Sequence, residues 1–404
     1  MSEIAHIPQL RFPEFSGEWE EKRLGDIADF SKGKGISKSD IDNDGQLECI
    51  RYGELYTTYN ELIKDVHSKT NIAKEDVKLS QIGDVIIPAS GETAIDIATA
   101  SCVLKDGVAI GGDLNIIRSD IDGVFNAYYL NNKNKYSVAR LSQGSSVIHL
   151  YAKHLETLKL NLPTKPEQTK IAAFLTEVDT KIEQLSKKQE LLGEYKKGLM
   201  QQIFSQAIRF KADDGCDFPD WEEKSLGELF NYKNGGSFEN EVVKDGLYNL
   251  ITLNSITIDG ELKNEHKKIN SFDNSLKIND LIMVLSDVAH GNFLGLTAII
   301  PEDNSYVLNQ RMGALKSKGL NNVVFLRLLI NYNQKYFKLH GQGSSQQNLS
   351  KGDILKFELL LPNRNEQQKI ANFLSSIDTK IEQVGKQLDE SKQFKKALLQ
   401  QMFV

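Results

Sequence analysis

Residues 166–204 and 366–403 are one long amphipathic stretch written twice, and this repeat limits what the chain can fold into more than any other feature. The first copy opens Pro-Glu-Gln-Thr-Lys-Ile-Ala-Ala-Phe-Leu and closes Leu-Met-Gln-Gln-Ile-Phe. The second opens Glu-Gln-Gln-Lys-Ile-Ala-Asn-Phe-Leu and closes Leu-Leu-Gln-Gln-Met-Phe. Asp179-Thr180-Lys181-Ile182-Glu183-Gln184 recurs unchanged as Asp378-Thr379-Lys380-Ile381-Glu382-Gln383, at a constant offset along the chain. Within the first copy, Leu175, Ile182, Gln189, Lys196 and Ile203 share one heptad position, and Val178, Leu185, Leu192 and Leu199 share the other core position. In the second, the two sets are Leu374, Ile381, Leu388, Lys395, Met402 and Ile377, Val384, Ser391, Leu398. An apolar stripe sustained at this spacing over about four heptads is the seam of a coiled coil. At 1.5 Å per residue each stretch makes a rod of roughly 60 Å. Neither rod can bury its stripe alone, and the simplest partner for each is the other. Gln189, Lys196, Ser391 and Lys395 interrupt the seams; polar core residues cost stability but fix register.

The repeat reaches beyond the rods. Phe12-Pro13-Glu14, then Trp19-Glu20-Glu21-Lys22-Arg23-Leu24-Gly25, is echoed by Phe218-Pro219-Asp220-Trp221-Glu222-Glu223-Lys224-Ser225-Leu226-Gly227. Trp19 and Trp221 are the only tryptophans, and packing accounts for both. Each entry leads into a mixed body that runs on to the next rod. Short strand-then-turn signals with basic residues in the turn lie at 30–35 and 232–236. Turns followed by buried strands lie at 83–87 and 279–284. Other β-rich runs fall at 102–104, 114–117 and 296–300, and residues 125–141 and 323–339 read as helices. Gln143-Gly144-Ser145-Ser146 then recurs as Gln342-Gly343-Ser344-Ser345, in which turn chemistry explains glycine and serine. A short apolar segment ends at Leu162-Pro163 and again at Leu361-Pro362, where proline marks the start of each rod.

The expected fold is therefore α+β, a tandem repeat of two mixed α/β bodies joined by two long helices that pair as an antiparallel coiled coil. The expected segments are an N-terminal tail at 1–11, a first body at 12–163, a central rod at 164–205, a linker at 206–217, a second body at 218–362 and a C-terminal rod at 363–404.

Net charge of −6 argues at first against nucleic acid, but the distribution alters that. Residues 1–30 and 206–230 each carry 3 basic and 7 acidic groups, so the net acidic excess sits in the connectors and the bodies are near neutral. A DNA contact would be local, made by selected Lys and Arg rather than a basic field. Cys49, Cys102 and Cys216 are widely spaced, which fits a reducing cytosol and disfavours disulfides and zinc. There is no secretory leader and no run of 18 apolar residues, so a cytoplasmic location without membrane contact is expected. No phosphate-binding Gly-x-x-x-x-Gly-Lys-Ser/Thr loop, no Asn-Pro-Pro-Tyr or Asp-Pro-Pro-Tyr, no dinucleotide fingerprint and no His-Glu-x-x-His occurs. The scattered histidines have no evident metal-ligand partners. No catalytic residue and no metal ligand is assigned.

The arrangement of body, rod, body, rod resembles the DNA-specificity subunit of type I restriction–modification enzymes. The residues that carry the resemblance are Leu-Pro, then Glu-Gln-x-Lys-Ile-Ala-x-Phe-Leu, then Asp-x-Lys-Ile at the head of each rod, together with the Trp-Glu-x-x-x-Leu-Gly entry to each body. It covers about residues 12–404. The resemblance implies that each body is a target recognition domain reading one half of a split DNA site, and that the paired rods set the spacing. It implies two methyltransferase subunits using S-adenosylmethionine and two restriction subunits using ATP and Mg, with no cofactor in this chain and double-stranded DNA as ligand. Independently, two similar readers on a stiff antiparallel pair match the dyad of duplex DNA, with half-sites on the order of one turn, ~34 Å, apart. The bodies differ more than the rods, so the site should be asymmetric. A coiled-coil scaffold whose bodies bind only proteins is the competing reading, suggested by the acidic charge.

Direct readout needs forked or amide side chains, and phosphate contacts need Lys, Arg, Ser or backbone amides. The candidates in the first body are Lys32, Lys34, Arg51, Tyr52, Ser90, Arg118, Gln143, Ser145 and Ser146. Those in the second are Lys233, Asn234, Ser286, His290, Asn292, Asn309, Gln310, Arg311, Ser344, Gln346, Gln347 and Asn348. The run 342–348 stands out as polar and placed between an aromatic helix and the rod.

Overall fold

The structure, a computed structural model, describes residues 6–145, 147–273, 276–288 and 291–404. The chain divides into two compact units. One holds the residues up to Lys187 together with Gly385–Val404, and the other holds Lys188–Val384. Each unit thus takes one body and one half of each long helix.

The first long helix runs Lys165–Phe204 and the second Arg364–Gln401. Proline at 163 and 362 stops the preceding strands, and the helical period of the apolar stripe carries each helix onward. Inside the first unit, Leu175 packs in one core with Leu398 and Met402, and Asp179 binds Lys395, so the two chain directions oppose. Inside the second, Leu199 and Ile203 share a core with Ile370, Leu374 and Ile377, and Lys196 binds Asp378, again antiparallel. Every apolar residue assigned to the seam is buried or half-buried: Leu175, Val178, Ile182, Leu185, Leu192, Leu199, Leu374, Ile377, Ile381, Val384, Leu388 and Leu398. The polar interruptions Lys196 and Lys395 each carry an interhelical ion pair.

Among the described residues the first body has a five-stranded sheet in the order Ala28–Lys32, Leu114–Ser119, Val85–Pro88, Ser101–Val103, Leu62–Ile63. Beside it is a four-stranded sheet in the order Ser68–Thr70, Leu47–Ile50, Ala109–Ile110, Lys78–Leu79. The second body repeats this with Phe230–Asn234, Met312–Ser317, Leu281–Val284, Thr297–Ile299, and with Val242–Val243, Lys267–Ile269, Tyr248–Ile251, Tyr306–Leu308. The Trp19 and Trp221 entry strands, Glu20–Arg23 and Glu222–Ser225, pair antiparallel with Lys159–Leu162 and Glu358–Leu361, the strands that lead into the rods. Both tryptophans are buried, and Trp19 meets Phe125, Tyr129 and Phe403 edge-on at 5.9, 6.0 and 6.4 Å.

One expectation changes. The helices read at 125–141 and 323–339 are each broken in two, into Gly123–Asn131 with Lys135–Arg140 and Val323–Tyr332 with Gln334–His340. At the second break Asn333 Nδ2 donates to Leu329 O at 2.8 Å, in competition with the helix's own backbone bonds. Asn131 holds both backbone groups of Ala100, and Asn331 does the same to Thr297. Residues from 6 to 11 and around 206–217 are tied to the heads of the rods. Arg11 grips Glu167 through Nε at 2.8 Å and Nη2 at 2.7 Å, and Arg209 grips Glu366 at 3.2 and 2.8 Å. The adjoining Gln168 accepts from Asp122 N and donates to Pro163 O, both at 2.9 Å. Gln367 does the same with Asn322 N at 2.9 Å and Pro362 O at 2.8 Å. The repeated Glu-Gln thus clamps the head of each rod to its own body.

Candidate nucleic-acid interface

In each body the chain doubles back between a Gln and the residue six positions on. Gln143 and His149 exchange backbone hydrogen bonds at 2.8 and 2.7 Å, and Gln342 and Asn348 do so at 2.9 Å twice. Gly144 sits at φ +122° and Gly343 at φ +113°. A Cβ there would stand 2.1 Å from Val147 O and 2.2 Å from Gln346 O, so only glycine closes the loop. The returning strand pairs back onto the body, Ile148–His149 against Ser90–Gly91 and Gln346–Asn348 against Ser286–Val288.

In the second body this hairpin walls an open cleft of about 540 Å³. Its lining draws Asn234 from the end of one strand, Ser286 and Leu285 from another, Gln310 and Arg311 from a turn, and Gln346, Asn348 and Lys351 from the hairpin and the helix after it. Six expected residues from four separate stretches therefore meet in one place. Part of the set is locked: Gln346 Nε2 donates to Ser286 Oγ at 2.6 Å and to Asn348 Oδ1 at 3.1 Å, and Tyr232 OH donates to Asn234 Oδ1. Burial pushes the Tyr232 phenol up to about 12, so it remains a proton donor. Gln310 and Arg311 are exposed, and among the described residues none lining the cleft is a carboxylate. Sequence reasoning misses Lys351. It follows the N-cap Ser350 and lies 5.9 Å over the Tyr232 ring, a relationship with no signature in the local sequence.

Other expected residues of this body lie elsewhere. Lys233 pairs with Asp273 at 3.3 Å. Asn309 is buried, its Nδ2 donating to Glu239 at 3.3 Å and its Oδ1 accepting from Gln310 N at 2.8 Å, so it shapes the turn beneath Arg311. Glu239 is held below the usual carboxylate range by that Asn309 bond, with Lys267 and the charge of Arg311 adding to it. Gln347 points toward Gly291 on the other face of its strand. Asn292 is exposed and does not line the cleft, and Ser344 is exposed on the hairpin. Ser146 and His290 lie outside the described residues.

The first body presents different chemistry on the same scaffold. Arg51 lies between two open clefts of about 860 and 740 Å³, with Lys38 and Asp40 shared by both, and Tyr52 and Asp113 line the second. Tyr52 meets Tyr56 edge-on at 6.4 Å, and Tyr56 OH donates to Ser90 O at 3.2 Å, which leads to the His149 hairpin. Gln143 contributes its backbone to that hairpin, Ser145 is exposed on it, and Lys34 is exposed in the loop after the Ala28–Lys32 strand. Lys32 lies 3.8 Å from Asp113. Arg118 is the exception: Nε and Nη2 bind the buried Asp84 at 2.8 and 2.7 Å, so its fork is occupied inside the body. Strand alternation turns Arg118 to this partner, and the sequence pattern around it does not distinguish the two fates.

Comparison with known proteins agrees on one family. The model described as "Type I restriction modification DNA specificity domain" matches residues 16–192 and 219–390. A type I restriction enzyme specificity subunit, MjaVIII of Methanocaldococcus jannaschii, is 26% identical over 96% of this chain and 92% of its own length. The crystal structure of a type I restriction–modification S subunit from M. genitalium superposes with a TM-score of 0.64 at 18% identity, covering 98% of this chain and 99% of that one. A chain from a structural study of complex assembly and conformational transition in the type I R-M system gives 0.55 at 16% identity, covering 94% and 96%. These two structural likenesses speak for the fold.

Proposed function

The chain belongs to the type I restriction modification DNA specificity family through both of its repeats, and from that premise we propose how it reads DNA. Each body reads one half of a split site. The paired rods set the distance between halves and offer docking faces to two methyltransferase subunits, which bring S-adenosylmethionine. Two restriction subunits bring ATP and Mg. This chain contributes recognition and no chemistry.

The observation that carries this reading is the convergence of Asn234, Ser286, Gln310, Arg311, Gln346 and Asn348 on one cleft. Amides and a guanidinium held on strands and tight turns match the donor and acceptor edges of bases in the major groove. Exposed Lys and Arg at the margins suit phosphates, which fix orientation rather than sequence. The equivalent loops of the first body hold different side chains, so the two half-sites differ.

The test is co-expression with a type I methyltransferase subunit, followed by methylome sequencing. One new split adenine-methylated motif is expected. A complex that forms and shows no DNA affinity at any salt concentration would instead favour a protein scaffold.

A further inference from the structure

The turn that precedes the inner strand of each main sheet is built on the same backbone in both bodies and carries opposite charge. In the first body it is Gly111-Gly112-Asp113, and in the second Asn309-Gln310-Arg311. Four pairs of hydrogen bonds establish the equivalence. Gly111 N donates to Ile50 O at 2.8 Å, and Asn309 N to Ile251 O at 3.0 Å. Ala89 N donates to Asp113 O at 2.8 Å, and Leu285 N to Arg311 O at 3.0 Å. Gly33 N donates to Leu114 O at 2.9 Å, and Gly235 N to Met312 O at 3.0 Å. Leu114 N donates to Gly111 O at 3.2 Å, and Met312 N to Asn309 O at 2.9 Å. The close approach is enforced on the facing loop too, since a Cβ at Gly33 or Gly235 would stand 2.0 Å from the carbonyl oxygen of Gly111 or Asn309.

Resting on the reading above, we infer that this turn is a specificity determinant and that Arg311 reads a guanine in the half-site of the second body. Guanine shows two acceptors, N7 and O6, in the major groove, and a guanidinium satisfies both at once. Arg311 stands in a cleft with no lining carboxylate among the described residues, and the carboxylate whose charge it feels, Glu239, is held by Asn309 and Lys267. Its neighbours Asn234 and Gln346 have their Oδ1 and Nε2 engaged by protein partners, so their remaining Nδ2 donor and Oε1 acceptor are left for a ligand with fixed polarity. In the first body Asp113 takes the place of Arg311. A carboxylate accepts from cytosine N4 or adenine N6 and repels the guanine acceptors, so the base it contacts at the corresponding step of that half-site is not a guanine.

The experiment is methylome sequencing of the intact methyltransferase complex carrying the native chain, Arg311→Ala or Arg311→Lys. The native complex should methylate a split motif with a guanine in one half. Arg311→Ala should reduce preference for that guanine by about tenfold or more and leave the other half unchanged. Arg311→Lys, which keeps the charge without the fork, should relax the same position, and it serves as the readout if the alanine variant does not assemble. Absence of guanine from both half-sites, an unchanged motif in the folded variants, or a uniform fall at all sites would overturn the inference while leaving the reader assignment intact. Absence of any motif in the native complex would instead count against that assignment.

Discussion

Lys395 Nζ lies 2.8 Å from Asp179 Oδ1 in the first unit, and their repeat counterparts, Lys196 Nζ and Asp378 Oδ1, lie 2.5 Å apart in the second. The two pairs are copies of one interaction, and each fixes the antiparallel register of the helix segments in its own unit. Their surroundings differ. Lys395 also meets Glu61 at 3.3 Å and stands 5.4 Å over the Tyr128 ring, and Tyr128 OH donates to Asp179 at 2.6 Å. Burial pushes the Lys395 ammonium down, but Glu61 and Asp179 more than offset that and hold it above its ordinary value. A charge exchange should therefore succeed only in the second unit. Lys196→Asp with Asp378→Lys should fall within about 1 kcal/mol of the native chain. Lys395→Asp with Asp179→Lys should lose about 3 kcal/mol, because the new aspartate faces Glu61. Urea unfolding of the full chain measures both.

Removing Arg11 should cost more than removing Arg209. Each guanidinium covers a carboxylate that is almost fully enclosed, Glu167 in one unit and Glu366 in the other. Glu366 keeps a second donor, Trp221 Nε1 at 3.2 Å, whereas the buried Trp19 Nε1 makes no such bond. Arg11→Ala should destabilise by about 3 kcal/mol and Arg209→Ala by about 2 kcal/mol, the difference being the retained indole donor. Equal losses in denaturant titrations would show that the tryptophan bond contributes nothing.

Much of this arrangement is legible in the sequence. Heptad spacing and the repeat offset locate both long helices, their seam and the polar residues that set register, because those properties are local or periodic. The clamp formed by Arg11 or Arg209 with the rod-head Glu is not legible, since its partners stand far apart along the chain and their spacing has no period. The same holds for Arg118 and Arg311, both basic residues at the ends of short runs that could face either way. One turns to a buried Asp84 and the other to an open cleft, and only the strand pairing separates them. The break after residue 332 carries a local bond from Asn333 Nδ2 to Leu329 O, which helix period alone does not register.

Acid should weaken the second unit through His266. Its ring nitrogens are shut from solvent, with Tyr306 edge-on 5.7 Å away, and burial, with the nearby charge of Lys268, holds the imidazole below its ordinary 6.5. The unfolded chain therefore takes up a proton before the folded one does. Stability is full above about pH 6.5 and falls as pH drops from there toward the folded value. Replacement by leucine should flatten that part of the stability profile, which denaturation across about pH 5 to 7.5 would reveal; an unchanged slope would assign the effect to other groups.

The hairpin glycines offer a way to disable one reader at a time. Gly343 holds φ +113° with no room for a Cβ beside Gln346 O, and the strand it returns carries Gln346 and Asn348 into the cleft. Gly343→Val should displace these two amides and cost about 2 kcal/mol locally. Methylation should then lose discrimination in one half-site, while Gly144→Val should affect the other. If both variants damage the same half, the two hairpins do not serve separate readers.

Arg118 and Arg51 separate stability from affinity. The Arg118 fork closes on Asp84, whose side chain is 1% exposed, and this pairing holds the guanidinium above its already high value. Arg118→Gln leaves that carboxylate with fewer donors inside the body and should cost about 2 kcal/mol, with DNA affinity of the folded fraction preserved. Arg51 is held loosely, 3.9 Å from Glu54, and its enclosed Nε has no hydrogen-bond partner. Arg51→Gln, which removes the charge without setting a second carboxylate beside the buried Glu54, should scarcely move the unfolding midpoint yet lower affinity for cognate duplex, with a smaller salt dependence if a phosphate contact is lost. Fluorescence anisotropy against salt, run beside thermal melts of the same preparations, checks both. An Arg51 variant that binds as the native chain does would remove this residue from the interface, and an Arg118 variant that melts normally but binds poorly would mean that its guanidinium leaves Asp84 for DNA.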